Sequence, residues 1–576
     1  MDAVDFLIIG GGTAGIPVAT RLAERGHSVL IIEAGENVSA SPEVRIPGLF
    51  VENLKNLQLN WAFTSTPQEH AGGRVIPLPR GKSLGGSSNI NFMQLNRPSA
   101  QEFNDAFAAF GIEGWSYEDL LPYYRKFESL TANPEAFSTA HVQPDSAVHG
   151  DHGPLAVTVP VGTTPTRELF FKAMNELGVK TLSDCANGNN VGTWNSFQAI
   201  EGKGCTRASA DTAYLIPSLA KLPNLRVLSG AYVTRIIFDS STNEGDVVAT
   251  GVEYTKGDST HSVKANKEVI ICAGTYQTPQ ILELSGIGDH DILSKFGIKT
   301  LVHSPGVGAN LRIDSYDTLF DPAVAAEEMK KYQTERKGKF STIPLSFAVL
   351  SADRVMSAEQ TVNYKERLRQ TATRNGNPFV SKMVDLQLGW IDKGLAFLEV
   401  MESSSFYPST VQPAPEPGKA HVSFHLALQY PLSRGTVHIN SSDPLDRPVI
   451  NPNFLAEDID TENLLVACGF ARKLASTKVF SEAIVKEISP GPAIGDVEGL
   501  KEYIKDNFFV VYHPVGTAAM LPKELGGVVD SKLKVYGAKN VRVVDASIFP
   551  IEFSVHPMAT IYAVAEKAAD IIGGST

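Results

Sequence analysis

Apolar and polar positions recur with different periods along this chain. Residues 4–9, VDFLII, form a short, nearly continuous apolar run, the pattern of a parallel strand buried on both faces. From Ala14 to Glu24 apolar positions return at helical spacing and stop near Gly26. Val29 to Ile32 is a second apolar run, closed by Glu33. This opening predicts strand, glycine turn, helix and strand. From 36 to 110 the pattern breaks up among glycines and prolines and predicts mostly loops. GWSYEDLLPYYRKFESL (114–130) reads as a helix opened by Ser116. Beyond 150 alternation dominates: LAVTVP (155–160) and LRVLSGAYVTRIIFD (225–239) read as strands, as does KEVIICAG (267–274). The charged stretch AAEEMKKYQTERKGK, within 320–345, predicts an exposed helix. AHVSFHLALQYP and GTVHINS predict a further sheet, and a helix is expected near 460–475. Towards the end, VRVVDASIFP reads as strand and turn, and MATIYAVAEKAADIIGG as an amphipathic helix. There is no internal repeat. The expected fold is mixed α/β, with two interleaved domains each assembled from several chain segments.

Composition narrows the classes. The 576 residues exceed a single small core. A hydrophobic content of 43% and a charged content of 20% describe an ordinary globular protein. A net charge of -12 argues against a nucleic-acid partner. No apolar run reaches the length of a membrane span, so no membrane partner is expected. MDAVDFLIIGGG enters a core strand at once, without a signal-peptide pattern, so the expected location is cytoplasmic; a secreted chain with its signal removed is the alternative. Cys185, Cys205, Cys272 and Cys468 lie far apart, and no metal is expected; a Cys185–Cys205 bridge stays open. Asn37 and Asn440 begin isolated Asn-x-Ser sequons. Oligomeric state is left undetermined.

Candidate chemistry begins at the first turn. Gly10, Gly12 and Gly15 make G-x-G-x-x-G, with Thr13 and Ala14 inside it, between a predicted strand and helix. Glu33 closes the next strand, followed by Ala34. That context is the dinucleotide fingerprint. Gly10 permits the sharp turn, Gly12 leaves room for a pyrophosphate, and Gly15 lets helix and strand approach. The helix N-terminus offers N–H groups to phosphate, and Glu33 offers acceptors to ribose hydroxyls. The motif does not separate NAD from FAD.

Other segments do. GKSLGGSSNIN (81–91), HGDHGPLAV (149–157), TRASADTAYL (206–215), GTYQTPQILELSGIG (274–288), YHPVGT and VVDSKLKVYGAKNVRVVDAS (528–547) resemble, in order and over nearly the whole chain, the glucose–methanol–choline (GMC) oxidoreductases, closest to their aryl-alcohol oxidase-like members. The resemblance implies an FAD-dependent enzyme with a Rossmann-like FAD domain woven into a substrate domain on an antiparallel sheet. Residues 1–155, 226–310 and 511–576 would then belong mainly to the FAD domain, with loop 36–110 over the flavin and the last segment closing the active site. Residues 156–225 and 311–510 would be mainly substrate domain. The resemblance assigns flavin contacts to Ser83, Gly86, Ser87, Asn91, Phe92, Met93 and Gln94, an adenine contact to Val233, and late contacts to Asp545, Ala546, Pro557 and Met558. Ile90 stands where some relatives tether FAD through histidine, so non-covalent FAD is expected.

By the same resemblance His513 is the catalytic base and His556 its partner. The chemistry suits them: oxidising an alcohol removes a hydride, which the flavin takes, and a proton, which imidazole takes near neutral pH. The apolar flank of His513 would exclude water. Phe92 and Tyr512, with both histidines, are the expected substrate contacts and favour a flat aromatic or furanic primary alcohol. The expected acceptor is oxygen, giving peroxide. Alternatives are a same-fold dehydrogenase using a quinone-type acceptor, or a lyase or other non-oxidase on this scaffold. A decarboxylase is disfavoured because VSFHLALQYPLSRG contains no cysteine. The sequence departs from the family pattern at RIDSYD after VGANL, leaving pocket shape over 312–348 open. It also departs at Met558 and at NDAFAAF (104–110), which lacks the usual tryptophan.

Overall fold

A computed structural model describes residues 3–131, 133–159, 165–239, 245–311, 329–330, 332–336, 340–341, 343, 345–416 and 419–574. The opening pattern folds as expected. Strand β1 (Val4–Ile9) leads through the glycine turn into α1 (Gly15–Glu24) and back into β2 (Val29–Ile32). Leu7 and Ile8 are fully buried, and each such side chain contributes about 1.5–3 kcal/mol on leaving water. Helix α2 (Ala100–Ala109) and helix α3 (Tyr117–Phe127) follow. The second starts at a reciprocal cap: the Ser116 hydroxyl accepts from the Asp119 amide, and the Asp119 carboxylate accepts from the Ser116 amide.

Strands β3 (Leu155–Val157), β4 (Gly192–Asn195), β5 (Leu225–Leu228), β6 (Tyr232–Phe238), β7 (Ala249–Lys256) and β8 (Ser259–Ile271) come next, then α4 (Gly274–Leu284). The remaining elements used below are β9 (Leu345–Leu350), α5 (Ala358–Asn375), α6 (Pro378–Asp392), β10 (Leu398–Ser403), β11 (Ser423–Leu428), β12 (Gly435–His438), α7 (Asp458–Ala475), β13 (Val541–Val543) and α8 (Met558–Ile572).

Two sheets organise these elements. In the first the order is β5-β2-β1-β8-β7-β6, with β13 also paired to β8. β5, β2, β1, β8 and β13 run parallel, while the early half of β8 pairs antiparallel with β7, and β7 with β6. The second sheet is antiparallel, in the order β11-β10-β9-β4. This is the Rossmann-like sheet interleaved with an antiparallel substrate-side sheet that the sequence predicts. Helix α8 lies against α1 and α3, and the fully buried Glu566 binds Arg21, Lys126 and the Tyr214 hydroxyl. Beginning, middle and end of the chain are thereby pinned together.

Several boundaries differ from the pattern reading. The single strand expected over 225–239 is two, β5 and β6, because Gly230 turns the chain at φ +60. The strand placed at 267–274 is the end of the longer β8, and Gly274 already opens α4. The stretch 36–110 contains helix α2, whose Phe103, Ala106 and Phe107 bury one face. The exposed helix expected within 320–345 falls largely outside the described residues. All four cysteines are free, so there is no Cys185–Cys205 bridge. No helix is long and apolar enough to cross a membrane, and no three acidic, histidine or cysteine residues could hold a metal, both among the described residues.

Candidate active site

A cleft of about 150 Å³ opens along the C-terminal ends of the parallel strands, the usual ligand position in such a sheet. It gathers Gly10, Gly12, Thr13, Ala14, Glu33, Ala34, Gly86, Ser87, Val233, Asp545 and Ala546 from five distant segments. Gly10 turns at φ +99, where a side chain is strained. Gly86 faces Gly12 so closely that a Cβ on Gly86 would meet the Gly12 Cα at 2.7 Å. Two backbones thus meet without side chains beside the α1 N-terminus, which leaves N–H groups bare for a pyrophosphate. Gly15 does not line the cleft; it lets α1 sit on the Gly10 carbonyl, where a Cβ would come within 2.0 Å.

The Glu33 carboxylate accepts from the amides of Gly11 and Gly35, both at 2.8 Å. Burial raises it to about 6, against those bonds and the Lys82 charge. Two backbone amides fix its direction and leave lone pairs for sugar hydroxyls. Asp545 behaves differently. Its carboxylate accepts from the Gly274 amide, the Thr278 hydroxyl and both the amide and hydroxyl of Ser547. Burial pushes its pKa up. That side chain is spent organising the start of α4, so it faces the cleft as a built-in anchor with little left to donate or accept.

Of the loop from Ser83 to Gln94, Gly86 and Ser87 line the cleft, whereas Ser83, Asn91, Phe92, Met93 and Gln94, expected as flavin contacts, do not. Ser83 is buried and its hydroxyl accepts from Asn89. The Asn91 amide reaches the Met558 sulfur at 2.8 Å, and its oxygen accepts from the Met93 amide. Met93 is a non-glycine residue at φ +57. The Gln94 amide donates to the Phe92 carbonyl, and Phe92 packs on Phe50 with centroids 4.6 Å apart. Arg207, which the sequence reading passed over, holds this loop from behind. Fully buried, it donates to the carbonyls of Val44, Ser88 and Asn91 and to the Asn91 side chain. Burial and the Arg45 charge pull its pKa down to about 9.

The two histidines meet. The rings of His513 and His556 cross edge to face with centroids 4.7 Å apart. Pro557 caps α8 just beyond His556, and Met558 begins the helix. Burial, the neighbouring His556 and the Arg80 charge hold His513 well below the ordinary imidazole pKa. His556 packs edge-on against Phe347 of β9, and its Nε2 lies 3.5 Å from Glu399 of β10 without hydrogen-bond geometry. Two links join this pair to the cleft. Arg80 lines the cleft and donates to the Tyr512 carbonyl, and Thr275 lines it and donates to the Pro514 carbonyl. Tyr512 adopts φ +63, a strained conformation for a bulky residue that costs on the order of 1–3 kcal/mol. Its ring packs with the cluster of Phe63, Tyr276, Leu311 and Val437. Phe92 and Tyr512 therefore belong to different apolar clusters.

Comparison with known proteins identifies the family. Family models described as GMC oxidoreductase match residues 4–315 and 431–565. This chain belongs to the GMC oxidoreductases. It is 35% identical over 585 residues to the GMC oxidoreductase family protein Mala s 12 of Malassezia sympodialis, covering 99% of this chain and 92% of that one. Among solved structures it resembles an FAD-dependent oxidoreductase from Chaetomium thermophilum (TM-score 0.88, 28% identity, 99% of each chain covered). It also resembles a fungal aryl-alcohol oxidase (TM-score 0.85, 28% identity, 99% of each chain covered). The protein is thus an FAD-dependent alcohol oxidoreductase. The residues present fit the cofactor: bare glycine backbones meet at the helix N-terminus, and a fixed carboxylate stands at the sugar position. Sequence reasoning missed Arg80, Thr275 and Glu399. Two carried a signal: Arg80 stands directly before the GKSLGGSS segment, and Thr275 lies inside GTYQTPQILELSGIG.

Proposed function

We propose that this GMC oxidoreductase converts a primary alcohol, preferably aryl or furanic, to its aldehyde and passes the electrons to dioxygen, forming hydrogen peroxide. The observation that carries this reading is the crossed imidazole pair, with His513 held neutral and flanked by Tyr512 and Pro514, whose carbonyls Arg80 and Thr275 of the cleft bind. Bound FAD supplies the hydride acceptor. Neutral His513 takes the hydroxyl proton on its unprotonated ring nitrogen, and His556 directs the substrate oxygen. The apolar surroundings exclude water and strengthen both interactions. Retaining that proton, His513 can return it when peroxide forms. The aromatic preference is supported by the likeness to a fungal aryl-alcohol oxidase; Phe92 and Tyr512, which pack in different apolar clusters, do not form one aromatic wall for it.

The test is an anaerobic panel of benzylic, furanic and short aliphatic alcohols, followed by the flavin absorbance. Benzylic and furanic alcohols should bleach it fastest, and readmitted air should restore it with one peroxide per turnover. Bleaching without peroxide would assign another acceptor, and carbonyl formation without bleaching would assign a lyase. His513→Ala should retain FAD and reduce roughly 10²–10⁴-fold more slowly; a near wild-type rate would return His513 to a packing role. The cofactor should also be non-covalent, because Ile90 is buried with Val44 and Leu59 at the tether position. Acid precipitation should leave FAD in solution, and flavin in the pellet would refute this.

A further inference from the structure

Behind His556 lies a carboxylate that the chemistry does not use. Glu102, on α2, is fully buried. Among the described residues it forms no ion pair, and no cation figures among the groups that act on it. A carboxylate taken out of water without a counter-charge is costly unless hydrogen bonds satisfy it. Here the bonds come chiefly from one residue. The Ser554 amide donates to Glu102 Oε1 at 2.8 Å, and the Ser554 hydroxyl donates to Oε2. Ser554 precedes His556 by two residues. Tyr430 is the other titratable side chain acting on Glu102.

The rest of the turn is clamped from the same side. Phe103, next to Glu102, packs on Phe553 with centroids 4.5 Å apart. The Asn190 amide donates to both the carbonyl and the hydroxyl of Ser554. The Asn190 carbonyl in turn accepts from Trp194, whose ring stacks on Phe347, the ring that touches His556. Beyond His556 the chain enters α8 at once. His556 therefore stands between a turn held by α2 and a rigid helix.

We propose that Glu102 is a positioning residue that sets the place of His556 opposite His513 by gripping Ser554. This rests on the reading of the histidine pair as the alcohol-oxidising site. Glu102 touches neither imidazole, so it acts only through the turn. The carboxylate is suited to this because both of its oxygens accept and two donors of one residue are thereby fixed together. An amide in its place keeps one acceptor and turns an N–H₂ group on the Ser554 hydroxyl, which must then reverse from donor to acceptor although Asn190 already donates to it.

The test compares Glu102→Gln, His556→Ala and the double variant as holoenzymes. It uses an alcohol that reduces the wild type and works at pH 8, above the value of about 7 to which burial raises the Glu102 carboxyl. Glu102→Gln should keep FAD and slow flavin reduction at saturating alcohol about 10- to 100-fold, the effect of a small misplacement. In the His556→Ala background the same change should alter the rate less than about twofold, because the group it positions is gone. Equal slowing in both backgrounds, or none in the wild-type background, overturns the proposal while leaving the alcohol-oxidising reading intact. Should no alcohol bleach the wild type, the functional reading fails and a second measurement decides the positioning. In protein labelled with ¹⁵N-histidine, the ring signal lost in His556→Ala should shift in Glu102→Gln. An unmoved signal overturns the proposal.

Discussion

At the scale of single residues, the state of His513 is set by position more than by identity. Arg80 and His556 both disfavour a positive ring, and burial acts in the same direction. The sign follows directly: the native base binds its proton only at a pH well below ~6.5, the ordinary imidazole value. Flavin reduction should therefore stay level through neutral pH and fall only in acid. Arg80→Met removes one repelling charge and should move that acid limb toward neutrality in an anaerobic pH–rate series. A limb that stays in place would show that Arg80 has no electrostatic role. The same displacement affects stability: below ~6.5 the unfolded ring binds a proton that the native ring refuses, so His513 costs stability as the pH falls. His513 and His556 were legible because each sits in a recognisable motif. Arg80 and Arg207 lie beside or inside quoted segments and Glu399 in none, but all three went unassigned because the carbonyls and rings they meet come from remote segments that only folding brings together.

At the scale of elements, Gly12 and Gly86 meet backbone to backbone where both line the cleft. Gly86→Ala places a methyl group against a backbone atom at a residue with φ +54. Gly86 lies outside both main sheets and opens only a one-turn helix, Gly86–Asn89, so the fold should survive while FAD binding weakens, read as loss of flavin during gel filtration. Full retention would show that the loop shifts without consequence. The elements also explain which patterns could be read. β1, β2 and α8 contain no glycine or proline, α1 carries them only in its first turn, and their apolar periods appear directly in the sequence. Helix α2 has a regular face as well, Phe103, Ala106 and Phe107, but it follows a long run of glycine and proline that conceals where the period begins. Gly230 misled in the opposite direction. A single glycine inside an otherwise apolar stretch looks like a weak strand position, and only its backbone angle reveals a turn.

At the scale of the whole molecule, the segments are joined by buried charges as well as by the two sheets. Arg97, Glu128, His149 and Asp184 form a cluster of two bases and two acids. Arg97 Nη2 lies 2.8 Å from Glu128, and His149 lies 3.0 Å from Glu128 and 3.3 Å from Asp184. The cluster's hydrogen bonds and charges outweigh desolvation, which raises the pKa of His149 and lowers those of Glu128 and Asp184. The acids' contribution is present above their ordinary range of ~4 and is lost as the pH falls through their depressed values. The histidine's contribution is complete below ~6.5 and is lost as the pH rises through its elevated value. The melting-temperature gap between wild type and His149→Gln should therefore be widest between roughly pH 4.3 and 6.5 and narrow toward alkaline pH. A gap constant from pH 5 to 9 would leave His149 with packing alone.

The cofactor cleft takes Gly10 from the first turn and Asp545 from the last. Translation therefore imposes a delay. The ribosome makes the glycine loop early, yet must add another 535 residues, the interval between those two positions, before the opposite wall exists. At about 5–20 residues per second that takes roughly half a minute to two minutes. Once β8 is made, about midway through that interval, the strand still lacks β13, one of its eventual neighbours in the parallel sheet. The nascent chain must be sheltered from aggregation by its own partial folding or by chaperones, and it cannot draw on flavin binding for help until synthesis is nearly finished.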